Sequence, residues 1–75
     1  MNRRPFAEGV FLELRGNHRL MAEGIETLLE YGETRIVVGA GTQRIALEGE
    51  QLEMKFLSVD RIVIEGTIRV IRYES

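Results

Sequence analysis

The chain has 75 residues, with ten Lys and Arg against twelve Asp and Glu, one His, no Cys and no Trp. That length allows one domain, and a chain so short hides only about 60% of its unfolded surface, so the core is small. With 44% hydrophobic and 29% charged residues it is too apolar for a disordered tail, and no apolar run approaches the roughly 20 residues that span a bilayer. Absent cysteine excludes disulfides, thiolate chemistry and Cys-based zinc sites. A net charge of −2 excludes a general pull towards nucleic acid or anionic lipid.

Residues 1–9 hold the only proline and show no period, so a flexible N-terminal segment is expected there, followed by a β domain over 10–75. Arg3-Arg4 runs into Pro5-Phe6-Ala7-Glu8-Gly9 rather than an apolar stretch, so no signal peptide is expected. From Val10 onward, short apolar stretches are broken by glycines at 16, 24, 32, 39, 41, 49 and 66, the punctuation of consecutive short strands. Val10 to Arg15 leads into Gly16-Asn17, which suit a two-residue hairpin turn, and His18 to Ala22 forms the return strand. In that register Leu12 lies opposite Met21 and both face the core.

The next segment, residues 20–31, carries two patterns. Met21, Ile25, Leu28 and Leu29 make a helical stripe that Gly32 would cap. A helix places Gly24 in its interior, at about 1 kcal/mol relative to Ala. The strand alternative sets Ile25, Thr27, Leu29 and Tyr31 on one face. Beyond it, β-branched residues concentrate, as in Arg35-Ile36-Val37-Val38. The second half then contains a short repeat: Arg44-Ile45-Ala46-Leu47-Glu48-Gly49 and Arg61-Ile62-Val63-Ile64-Glu65-Gly66 share one form at an offset of 17 residues. Each copy is followed by a further alternation, Leu52 to Phe56 and Ile68 to Val70, which reads as strand, glycine bend, strand, used twice. The simplest arrangement is two similar hairpins in one sheet.

Chemistry is scarce along this pattern. His18 is alone at a turn, without the partners that a zinc site or a triad requires. Gly39-Ala40-Gly41-Thr42 lacks the following Lys and helix of a phosphate loop and reads as a hairpin connection. The glutamates alternate with apolar residues as a solvated face does, and a domain this small has little room for a catalytic carboxylate pair in a cleft. No catalytic, cofactor-binding or metal-binding residue is assigned, and no enzyme, cofactor or small-molecule substrate is expected. Arginine dominates the cations, which keeps a small RNA- or DNA-binding β-barrel as the alternative function. Interleaved glutamates and the lack of an aromatic cluster disfavour it. Arginines gathered on one face with Tyr31 or Tyr73 would support that alternative; arginines spread among glutamates would support a protein-interaction role.

One resemblance covers most of the chain. Leu12-x-Leu14-x-Gly16, Leu20, Gly24-Ile25, Tyr31, Ile36-x-Val38, Ile45-x-Leu47-x-Gly49-x-x-Leu52-x-Met54, Leu57-x-Val59-Asp60, Ile62-x-Ile64-x-Gly66-x-Ile68 and Tyr73 follow one another in a characteristic order. That order resembles the YabP/YqfC family of sporulation proteins, with the stretch Leu47 to Lys55 closer to YabP. The chain departs from the family where glycines fall at 39 and 41 before the Ile45 strand, and where Met21-Ala22-Glu23-Gly24 replaces the Asn-His-Lys/Arg-Gly of the YqfC side. The resemblance implies strand rather than helix across residues 20–31 and a compact immunoglobulin-like architecture. It also implies a non-catalytic role in endospore formation, in spore envelope (coat or cortex) assembly. The compartment implied is the cytoplasm of the mother cell, at the periphery of the forespore outer membrane. Partners would be other sporulation proteins, including a membrane protein of the YabQ type.

Together these readings predict an all-β domain: a small antiparallel β-sandwich or partly open barrel of about seven or eight strands. Its core is expected to hold Leu12, Leu14, Met21, Ile25, Leu29, Ile36, Val38, Ile45, Leu47, Leu52, Met54, Ile62, Ile64 and Ile68. Gly16, Asn17, Gly24, Gly49 and Gly66 are assigned to turns and bends. Open strand edges on so small a sheet favour a homo-oligomer.

Overall fold

A computed structural model describes residues 10–74; the expected N-terminal segment over 1–9 lies outside the described residues. The described chain is all β. Its strands are β1 (Phe11–Arg15), β2 (Arg19–Glu23), β3 (Thr27–Tyr31), β4 (Arg35–Ala40), β5 (Gln43–Leu57) and β6 (Arg61–Glu74). They form a single antiparallel sheet in the order β1-β2-β6-β5-β4-β3, which does not close. Six strands replace the expected seven or eight, for a reason visible in β5 and β6. Each runs on for 15 and 14 residues and bends where the sequence suggests an ending.

The bends divide the sheet into two halves. In one, β2 pairs with the first part of β6, which pairs with the last part of β5. In the other, β4 pairs with the first part of β5, which pairs with the last part of β6. The registers correspond rung by rung. Arg19↔Glu65, Leu20↔Ile64 and Ala22↔Ile62 in the first half match Arg35↔Glu48, Ile36↔Leu47 and Val38↔Ile45 in the second. The Arg-Ile-x-aliphatic-Glu-Gly repeat is therefore the central strand of each half rather than one of two hairpins. The inward residues of both halves join one core cluster with Ile25, Leu52 and Ile68, so the sheet is folded over on itself. The overall dimensions of 33 × 24 × 19 Å agree, since one sheet layer is only about 10 Å thick.

Two glycines make the fold-over sterically feasible. A Cβ on Gly49 would lie 1.9 Å from the Thr67 carbonyl oxygen, and one on Gly66, whose φ is 143°, would lie 2.5 Å from that of Gln51. The strands cross so closely there that any side chain collides with backbone. Ladder pairing lapses at the bend, and the freed N–H groups are taken up by the hairpin tips. Ile68 and Gly66 donate to the Asn17 and His18 carbonyls at 2.7 and 3.2 Å. Leu52 and Gly49 donate to the Glu33 and Thr34 carbonyls at 2.8 and 3.0 Å. Each hairpin tip thus seals one bend, which meets the requirement that buried backbone groups be paired.

Two local expectations are corrected, and the choice left open over residues 20–31 is resolved towards strand. The first turn has three residues, Gly16-Asn17-His18, with Gly16 at φ 58° and the His18 N–H donating to the Arg15 carbonyl at 3.3 Å. Leu12 therefore faces Ala22 rather than Met21, and the one-residue slip turns Met21 to the opposite face while Leu20 and Ala22 enter the core. Across residues 20–31 there is no helix: β2 ends, Gly24 turns at φ 89°, and Ile25 is buried in the crossing to β3. Two expected core residues, Leu14 and Leu29, are each 49% exposed. Both lie on edge strands, and a register shift between Leu28 and Glu30 moves Leu29 out of the alternation. Leu12 and Met54 pack against the core only in part, whereas Ile25, Ile36, Val38, Ile45, Leu47, Leu52, Ile62, Ile64 and Ile68 lie within it.

Candidate interaction surface

The outward face of the folded sheet is covered by paired charges. Arg19 meets Glu65 at 3.2 Å and Arg61 meets Glu23 at 2.5 Å on the β2–β6 side. On the β4–β5 side Arg35 reaches Glu48 at 2.6 Å and Glu30 at 3.2 Å, and Arg72 reaches the same Glu48 at 3.1 Å. The hydrogen bond to Glu30 raises the Arg35 pKa, against partial desolvation and with the fields of Glu30, Glu48 and Glu74 adding to it. Arg69–Glu50 and Lys55–Glu53 complete the set, both at 3.3 Å. Among the described cations only Arg15 and Arg44 have no such partner. Exposed pairs of this kind stabilise little. Their consequence is electrostatic: positive charge is neutralised where it stands, spread among glutamates rather than gathered into a basic face.

The apolar groups that reach solvent lie along the edges and at one rim. Ile25, Leu28, Leu57 and Val59 surround a shallow groove where the crossing from β2 to β3 passes the β5–β6 turn. Asp60 fixes that junction, its carbonyl accepting from the N–H groups of Gly24 and Ile25 at 2.9 and 3.1 Å. Val59, at the tip of the turn, is 97% exposed beside half-exposed Leu57 and Phe56. Strand β1 carries exposed Phe11 and Leu14, and β3 carries Leu28, Leu29 and Tyr31. The two edges differ in their covering. Tyr31 accepts the Met54 N–H at 3.2 Å through its hydroxyl, so the side chain at the end of β3 caps the free edge of β5.

The residues assigned to turns and bends fall at separate points of this framework. Gly16 and Asn17 are in the first turn, Gly24 starts the crossing, and Gly49 and Gly66 lie at the bends of β5 and β6, against Thr67 and Gln51 respectively. His18 is exposed in the first turn, where its backbone carbonyl serves the bend. Gly39 and Ala40 end β4, and Gly41-Thr42 form the connection to β5, with the Gly41 N–H donating to the Glu26 carboxylate at 2.9 Å. Among the described residues no group of His, Asp and Glu is placed to hold a metal ion. Nor is any helix among them long and apolar enough to cross a membrane. The exposed apolar residues of the rim do not stand out in the sequence as a surface. Their one signal is Leu57-Ser58-Val59-Asp60, a turn with two large apolar residues where polar ones are usual.

A model of one protein family, described as the YabP family, matches residues 8–75. The chain belongs to the YabP family. No curated protein and no solved structure matches it. Membership relates the protein to sporulation, in a family that is not a known enzyme family. Within this chain the characteristic order of residues has a physical meaning: the Leu47 to Lys55 stretch spans the β5 bend, with Gly49 at the crossing and Leu52 in the core.

Proposed function

We propose that this YabP-family protein is a non-catalytic interaction protein of endospore formation, acting in the assembly of the spore envelope, coat or cortex, around the forespore. Family membership over residues 8–75 carries this reading. It works in the mother-cell cytoplasm, at the periphery of the forespore outer membrane, with other sporulation proteins, among them a membrane protein of the YabQ type. The surface supports an interaction role in two ways. Charge is distributed in local pairs, unlike the concentrated basic face of a nucleic-acid module. Apolar side chains are exposed at the rim and along both outer strands, where a protein partner can bury them.

A tagged pull-down from sporulating cells, beside a nucleic-acid titration at two salt concentrations, tests the proposal. Recovery of sporulation or forespore-membrane proteins, with no salt-sensitive nucleic-acid binding, is the expected result. Tight binding that falls steeply with salt and no recovered protein partner would replace it with a nucleic-acid-binding function.

A further inference from the structure

We infer that β1 is a self-complementary edge that pairs antiparallel with β1 of a second copy, with Leu14 opposite Leu14 and Glu13 opposite Arg15. Among the described residues β1 and β3 are the outermost strands, and β1 is the regular one. Its register with β2 runs without a shift from Phe11 to Arg15, whereas β3 is interrupted between Leu28 and Glu30. β1 has no bulge, lysine or proline to block its edge; its protection rests on its short length and on the charges of Glu13 and Arg15. Alternate residues of such a strand turn their N–H and C=O groups to the open side, ready for another strand.

The charges choose the partner. Leu12 and Leu14 share one face of β1, and Phe11, Glu13 and Arg15 share the other. Arg15 lies directly opposite Arg19, a like-charge pairing that disfavours the rung, and Arg19 is already engaged by Glu65. Among the described residues neither Glu13 nor Arg15 has an ion-pair partner. A second β1 placed about a two-fold axis at Leu14 supplies both missing partners, since Glu13 of each copy then faces Arg15 of the other. It also covers Leu14, which is 49% exposed. Moving the axis to Glu13 would set Glu13 against Glu13, so charge selects the Leu14 register. Pairing through β1 is independent of the sporulation role, and either can fail alone.

The test is the mass of the full chain by sedimentation equilibrium from about 5 to about 500 μM. The wild type is expected to pass from one chain to two across that range. Glu13→Arg makes the edge wholly positive and Arg15→Glu makes it wholly negative. Each variant alone, with its far-UV circular dichroism unchanged, is expected to raise the dimer dissociation constant about tenfold or more. Mixed in equal amounts, the two variants match in charge and are expected to form a heterodimer. A wild-type mass of one chain throughout would overturn the proposal. Variants that dimerise like the wild type, or a mixture that stays monomeric, would equally overturn pairing in this register.

Discussion

The two halves of the sheet solve the same problem with different residues. Both press a hairpin tip onto a bent long strand, and both use paired carbonyls to receive the N–H groups freed at the bend. In β6 the donating N–H groups are those of Gly66 and Ile68; in β5 they are those of Gly49 and Leu52, one residue further apart. That additional residue has to be absorbed, and Gln51 absorbs it at φ 55°, the one described non-glycine with positive φ. The halves also differ at their outer strands, β1 being regular and β3 bulged with Tyr31 over the neighbouring edge. Correspondence in the centre with divergence at the edges separates two demands. The centre answers to core packing, which is alike in the two halves, and the edges decide what the sheet can pair with.

Substitution at the crossing is the harshest way to break this equivalence. Gly49→Ala and Gly66→Ala each drive a methyl group into backbone, so each is expected to destabilise by more than about 3 kcal/mol, a large part of a small domain's total. Urea unfolding measures this, and Gly41→Ala, where a Cβ would meet nothing, serves as a control for positive φ alone. Next come the matched core residues. Leu47→Ala and Ile64→Ala occupy corresponding rungs and are expected to lose about 2–5 kcal/mol each, agreeing within about 1 kcal/mol. Costs that differ widely would show that one half carries the core.

Smaller effects sharpen the difference between the halves. Gln51→Gly removes the strain peculiar to β5 and is expected to stabilise by up to about 1 kcal/mol in the same assay. Tyr31→Phe deletes the cap on the β5 edge and is expected to destabilise by about 0.5–1 kcal/mol, with faster amide exchange at Met54 as its specific sign. Arg69→Ala, which removes a pair exposed on both sides, should change stability by no more than about 0.5 kcal/mol.

Much of the centre is legible in the order of residues alone. Ile36-x-Val38, Ile45-x-Leu47 and Ile62-x-Ile64 announce their faces by alternation, and all six residues are in the core. Less can be read at the edges. Leu14 and Leu29 fit the same alternation, but an edge strand has neighbours on one side only, and local pattern does not say which strand will be outermost. The first turn misleads for a different reason. A loop of two residues and one of three are both compatible with Gly16-Asn17, and the choice reverses every following face.

By itself, then, the sequence determined an all-β chain, the positions of its central core residues and the family to which it belongs. The order of types along the chain carries these, through period-two alternation and glycine spacing. Only the tertiary structure decided that the repeat marks two bent strands of one folded sheet, that Gly49 and Gly66 each face the backbone of the other long strand, and that β1 is an outermost strand. Those are contacts between residues distant in sequence. They depend on where strands pass each other in space, and no local pattern encodes that distance.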